Sequence, residues 1–183
     1  ERLDQLLAQI LPANEFYARK LQGVALPLQS LERLAELPPT TKEELVLGNA
    51  AGVVPANRTW SLDHYVRFHQ TSGTHGRPLP VYDTADDWRW WIDCWQFVLD
   101  AAEATPADRA MLAFSFGPFI GFWSAFDALT ARGALVIPGG GLSSLARIEM
   151  VRNLGVTTLL CTPTYALHLA EVAHQNKIDR KST

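Results

Sequence analysis

Residues 109–114 read RAMLAF, 134–137 read ALVI and 157–161 read TTLLC, and the stretches between them, 119–131 and 143–153, carry helical spacing. Short apolar runs that alternate with helices are the mark of strands covered on both faces, hence of a largely parallel sheet. A further helix is expected over 165–174, after the third run. The fold class is therefore α/β, a mostly parallel sheet with flanking helices. In such sheets ligands gather beyond the carboxyl ends of the strands.

Upstream the texture changes. The first sixty residues are rich in Leu, Glu and Gln, and Leu3, Leu6, Leu7, Ile10 and Leu11 recur at a helical period. Asn14 is a good N-cap for a second short helix through Phe16 and Tyr17, which Gly23 ends. Beyond Pro38-Pro39, Thr41 with Glu44 three residues on forms a capping box for another. Residues 1–60 thus read as an irregular helical N-terminal arm, and 61–183 as an α/β subdomain. From His64 the period drops to two, with Val66 and Phe68 on one side of a strand and Tyr65, Arg67 and His69 on the other. A long helix follows Asp83-Thr84, and its Trp88, Trp91, Trp95 and Leu99 share one face that is expected to pack in the core.

The 183 residues carry a net charge of −3, with 48% apolar and 19% charged residues, the composition of a globular chain rather than a disordered or fibrous one. No run of five like charges occurs, so nothing marks a surface for nucleic acid or an anionic membrane. No apolar stretch approaches the roughly 20 residues of a membrane span. Two isolated cysteines, Cys94 and Cys161, make no disulfide framework, and a reducing cytoplasm is the expected compartment. The chain opens without a methionine or a leader and reads as a piece of something longer.

Chemistry concentrates in Thr71-Ser72-Gly73-Thr74-His75-Gly76-Arg77-Pro78, between two extended segments. Its glycines can turn backbone amides toward a ligand, and the hydroxyls of Thr71, Ser72 and Thr74 add donors suited to phosphate oxygens. It is neither a Walker loop nor a G-x-G-x-x-G fingerprint, and composition alone reads first as a hydrogen-bonded hairpin loop.

Downstream, Phe114, Phe116, Phe119, Phe122 and Trp123 cluster around Gly117, Pro118 and Gly121 at a strand end. His168 and His174, six apart on one helix, point about 240° from one another and cannot grip one ion there. A solvated helix face is expected instead, with no metal site. His64 and His69 are expected to be structural, and Cys94 a buried thiol. No G-x-S-x-G elbow supports a hydrolase triad. Gly139-Gly140-Gly141 is either a strand-to-helix turn or a second ligand-facing loop.

The pattern T-S-G-T-x-G-[KR]-P resembles the phosphate-binding loop of the adenylate-forming acyl- and aryl-CoA synthetases, and four further segments resemble the phenylacetate-CoA ligase branch. These are Asn14-x-Phe16-Tyr17-x-x-Lys20; Leu37-Pro38-Pro39-Thr40-Thr41-Lys42-Glu43-Glu44-Leu45; Ser115 to Gly121; and Leu154-Gly155-Val156-Thr157 to Cys161-Thr162-Pro163-Thr164-Tyr165-Ala166-Leu167. His75 stands where the family usually has Thr or Ser, and Arg77 where Lys is common, which keeps the charge but changes its geometry.

The resemblance implies an ATP-dependent carboxylic acid–CoA ligase using ATP, Mg²⁺ and CoA. It places phosphate binding on Thr71, Ser72, Gly73, Thr74, His75, Gly76 and Arg77. Phe116, Gly117 and Phe119 would then lie on a pocket for a small carboxylic acid, possible aryl acids included, open toward the glycine-rich loop. The family's adenine- and Mg-binding segment, ribose-binding aspartate and catalytic lysine are not in this sequence, so the resemblance covers the N-terminal part only. Relatives that adenylylate a cofactor or load a carrier protein, or a truncated non-catalytic module that binds a partner or pairs with itself through its tryptophan-rich helix, are the alternatives.

Overall fold

The computed structural model describes residues 2–47, 55–71, 78–115 and 117–178. The backbone falls into two compact units, Glu1–Ala85 and Asp86–Thr183.

In the first unit α1 (Arg2–Ile10) buries Leu7, and α2 (Glu15–Lys20) begins at Asn14, whose Oδ1 accepts the Tyr17 N–H at 3.0 Å. A 3₁₀ turn over Glu32–Glu36, without a signal in the apolar pattern, precedes α3 (Lys42–Leu47). The capping box forms as expected: Thr41 N–H donates to Glu44 Oε2 at 2.8 Å and Glu44 N–H to Thr41 Oγ1 at 3.3 Å. Lys20 reaches across to both Glu44 oxygens at 2.6 Å and ties α2 to α3. A 3₁₀ turn over Leu62–His64 then leads into an antiparallel hairpin of β1 (Tyr65–Gln70) and β2 (Pro80–Thr84).

The hairpin is bound to what precedes it. Asn57 Nδ2 donates to Pro80 O, and the Tyr65 hydroxyl accepts from both Thr59 and Trp60 N–H at 2.9 Å. The division between the units therefore follows the hairpin, whereas the texture of the sequence changes before it, at 60/61. The period of two in β1 is real, but its apolar side is the outer one in this unit. Val66 and Phe68 are exposed, while His69 is buried.

The second unit opens with α4 (Ala85–Ala101), whose first residue closes the preceding unit. A three-stranded parallel sheet follows, in the order β4-β3-β5, with β3 (Arg109–Leu112) in the centre between β4 (Leu135–Pro138) and β5 (Thr158–Leu160). Helices α5 (Ile120–Arg132), α6 (Ser144–Asn153) and α7 (Pro163–Gln175) alternate with the strands. Ser143 and Thr162 cap α6 and α7 by accepting backbone N–H groups three residues on, and Gly133, at φ 88°, ends α5 in the left-handed region. The core joins Ala110 and Leu112 of β3 to Phe122, Ala125, Ala128 and Leu129 of α5, with Leu99 of α4.

The tryptophan stripe needs one correction. Trp88 and Leu99 are buried and Trp95 packs on the core, but Trp91 is 37% exposed. At 100° per residue Trp95 and Leu99 lie within about 20° of Trp88, whereas Trp91 is about 60° off, at the margin of the buried face. Ile92, about 40° off on the other side, packs on the core instead.

At the amino end of the sheet Asp108 gathers four donors. Thr105 N–H and Oγ1–H donate to its Oδ2 at 2.6 and 2.9 Å, and the Thr157 and Thr158 hydroxyls donate to its Oδ1 at 2.6 and 3.3 Å. These bonds, Thr157's foremost, hold its carboxyl at about 2, below the ordinary carboxylate value. A depressed carboxylate stabilises the fold above its unfolded value near 4 and ceases to do so as the pH falls through 2. Asp108→Asn is accordingly expected to lower the urea midpoint at pH 7, and the gap from wild type should close between about pH 4 and 2. A gap of constant size across that window would show that the charge contributes nothing.

Among the described residues no helix is long and apolar enough to cross a membrane.

Candidate functional site

The glycine-rich sequence 71–78 connects β1 to β2, and the described residues at its two ends are joined by two hydrogen bonds. Thr71 N–H donates to Leu79 O at 3.1 Å, and Leu79 N–H donates to Thr71 Oγ1 at 3.0 Å. The Thr71 hydroxyl thus spends one lone pair on the loop's neck and keeps its proton to donate. Ser72, Gly73, Thr74, His75, Gly76 and Arg77 lie outside the described residues. Below the neck, His69 and Asp83 are buried side by side, with Nε2 3.4 Å from Oδ2. Burial, reinforced by the Arg67 charge, lowers the His69 pKa below its ordinary value, which favours the neutral imidazole. His64, in contrast, is exposed at a turn, where its Nδ1 meets Ser61 Oγ at 3.0 Å.

In the second unit the segment after β3 runs from the carboxyl end of the central strand into α5. Phe119 is the N-cap residue of α5 in extended conformation and its ring is 46% exposed, whereas Phe122 three residues on is 3% exposed and belongs to the core. Gly117 is pressed against the Phe119 ring: a Cβ there would lie 3.2 Å from two of its carbons. Trp123 Nε1–H donates to Gly117 O at 3.0 Å and fixes that turn. Gly117 and Phe119 therefore form one packed element at the strand end, while Phe116 lies outside the described residues.

A polar cluster at the carboxyl end of the neighbouring strands was not legible beforehand. Gly139, just past β4, lies so close to the sheet that a Cβ would come within 2.9 Å of Leu112 O, and its N–H donates to that oxygen. Arg147 of α6, 7% exposed, donates from Nε to Gly139 O at 2.8 Å and from Nη1 to the Tyr165 hydroxyl of α7, with its guanidinium 5.0 Å over the Tyr165 ring. Ser144 Oγ lies 3.0 Å from the same hydroxyl and 3.1 Å from His168 Nε2. His168, expected on a solvated face, is exposed but also joins this network. Two of its parts carry a signal in the sequence: Gly139, in the glycine run after β4, and Tyr165, which stands in a segment that resembles the ligases. Among the described residues no group of three or more His, Cys, Asp or Glu gathers to hold a metal.

Comparison with known proteins gives a consistent picture, although no family model matches the chain. It is 28% identical to the phenylacetate-coenzyme A ligase of Escherichia coli K12 over 93% of its own length. To that of Thermus thermophilus it is 29% identical over 93%, and to that of Pseudomonas putida 28% over 83%. It spans only 34–39% of the length of these three relatives. Among solved structures, an open conformation of 2-hydroxyisobutyryl-CoA ligase with 2-HIB-AMP and CoA superposes with a TM-score of 0.87 over 99% of this chain and 43% of that one, at 25% identity. The same ligase in its thioesterification state gives 0.86 over 96% and 39%, at 27% identity. In sequence and in fold alike, the chain is similar to the N-terminal part of the phenylacetate-CoA ligase branch of the adenylate-forming synthetases.

Proposed function

We propose that the chain is the N-terminal part of an ATP-dependent, AMP-forming carboxylic acid–CoA ligase. The observation that carries this reading is the superposition of nearly the whole chain on 2-hydroxyisobutyryl-CoA ligase bound to an acyl-adenylate and CoA. In such a reaction a carboxylate oxygen attacks the α-phosphorus of ATP, pyrophosphate leaves, and a thiol then displaces AMP from the adenylate. The protein contributes position and charge neutralisation rather than a covalent nucleophile. ATP and CoA are substrates in this scheme, and Mg²⁺ bound with ATP would supply charge neutralisation at the phosphates.

The fit of this chain rests on the hairpin neck. Closure by Thr71 and Leu79 leaves seven residues, 72–78, between the two, and Thr71 retains a hydroxyl proton for a phosphate oxygen. Thr71, Ser72, Gly73, Thr74, His75, Gly76 and Arg77 are assigned to the β- and γ-phosphates. Gly117 and Phe119, with Phe116, are assigned to the acid pocket, and the exposed Phe119 ring suits an aryl acid. The compartment is the cytoplasm. Self-pairing would use Trp90 and Phe97, which α4 holds opposite its buried face; sedimentation as a monomer at all concentrations would remove that part of the proposal.

The experiment is a chimera in which residues 1–183 replace the matching part of the Escherichia coli phenylacetate-CoA ligase. Acid-dependent exchange of labelled pyrophosphate into ATP should persist, and the 183-residue chain alone should show none. In the chimera Phe119→Ala should raise the KM for an aryl acid about 5- to 150-fold, the worth of a lost ring contact of about 1–3 kcal/mol, and shift preference toward bulkier acids. A folded chimera without exchange would overturn the ligase reading, and unchanged kinetics across aryl and alkyl acids would overturn the pocket.

A further inference from the structure

The helical arm holds a cleft of about 450 Å³ between the start of α2 and the segment 55–61, within the size range of small-molecule sites. Its walls are fastened on both sides. Asn14, 2% exposed, donates from Nδ2 to Ala56 O at 3.1 Å and to Thr59 Oγ1 at 3.2 Å while capping α2, and the Tyr65 hydroxyl holds the Thr59 and Trp60 amides from the other side. Arg58 N–H closes a turn onto Pro55 O at 2.8 Å. The Asn14 bonds join the two walls of the cleft, and the others fix the backbone of the 55–61 wall.

Its chemistry is cationic and aromatic. Arg19 and Arg58 line it together with Phe16 and Trp60, against a single carboxylate, Glu15. Among the described residues neither guanidinium makes a hydrogen bond or ion pair, and Arg58 Nε is buried without any acceptor. The more enclosed arginines elsewhere are partnered: Arg33 pairs with Glu36, Arg132 with Asp100, and Arg147 with Gly139 O and Tyr165. A buried donor left without an acceptor is costly, and an arriving oxyanion removes that cost. A guanidinium presents a planar fork that matches carboxylate and phosphate oxygens, and the flanking rings suit a flat apolar body attached to the anion.

We propose that this cleft is a binding site for a small aromatic oxyanion, a ring bearing a phosphate or a carboxylate, held by Arg58 and Arg19 with Trp60 and Phe16 against the ring. The site lies wholly within the first unit and does not rest on the ligase reading.

The test is calorimetric titration of the 183-residue chain with phenyl phosphate, benzoate and uncharged benzyl alcohol. Saturable binding of one or both anions is expected, with a dissociation constant of about 0.1–1 mM for ligands of this size, and the tighter anion identifies the natural head group. Arg58→Gln should weaken it about 10-fold or more and Arg19→Gln several-fold, while Arg33→Gln, outside the cleft, should leave it unchanged. Arg19 is exposed, so its variant carries the test if Arg58→Gln fails to fold. The proposal is overturned if neither anion saturates by about 10 mM, a ceiling well above that range. It is also overturned if benzyl alcohol binds as tightly as the anions, or if a folded Arg58→Gln or Arg19→Gln chain binds as the wild type does.

Discussion

Leu129→Ala is expected to lower the stability of the second unit by about 2–5 kcal/mol, a large share of what a domain of this size possesses. Leu129 is fully buried in α5 and belongs to the cluster that contains Ala110 and Leu112 of the central strand and Phe122, Ala125 and Ala128 of its own helix. Truncation removes three carbons from a cluster whose other buried members include five alanines, Ala104, Ala110, Ala125, Ala128 and Ala134. Small, fully buried side chains have no spare length with which to fill the space, so the cavity term adds to the lost transfer energy. Leu135→Ala makes the comparison, because Leu135 is 56% exposed at the start of β4 and should cost under about 1 kcal/mol. Urea unfolding of both variants checks the claim. Equal midpoints would mean that α5 does not form the core of this unit.

How far the fold could be read in advance depended on whether a feature is local. The strands at 109–112, 135–138 and 158–160 stood out because both faces are covered and the run is unbroken. Asn14, Thr41 with Glu44, and Ser143 stood out because a cap acts three residues away. The cleft and the Arg147 cluster did not, because their parts come from elements some 18 to 45 positions apart with no shared period. The exposed Val66–Phe68 side of β1 was equally opaque, since alternation tells which residues share a face and not which face is covered. For the candidate site, the Thr71 and Gly117 assignments came from resemblance. The structure adds what those residues do locally, one closing a hairpin neck and the other seating the Phe119 ring.

The cluster at the carboxyl end of the sheet gives the second large effect. Arg147→Met should destabilise the chain by about 2–3 kcal/mol, because it leaves two acceptors, Gly139 O and the Tyr165 hydroxyl, without the charged donor they share. Gly139 cannot compensate by moving, since its backbone is already packed against Leu112 O. Arg147→Lys should recover only part of the loss: an ammonium is a point donor and cannot reproduce a fork that serves a backbone carbonyl and a phenol while lying over a ring. Tyr165→Phe removes the hydroxyl and keeps the ring, so a double-mutant cycle with it should show a coupling of about 0.5–3 kcal/mol from the hydrogen bond. That coupling is the quantity that distinguishes a working contact from a merely buried residue. In the ligase chimera the same pair sets the distance between α6 and α7 beside the strand ends where an acid is expected to bind. Arg147→Met should therefore raise the KM for the acid more than it lowers kcat. Zero coupling in the cycle would sink the positioning role even if Arg147→Met alone proved destabilising.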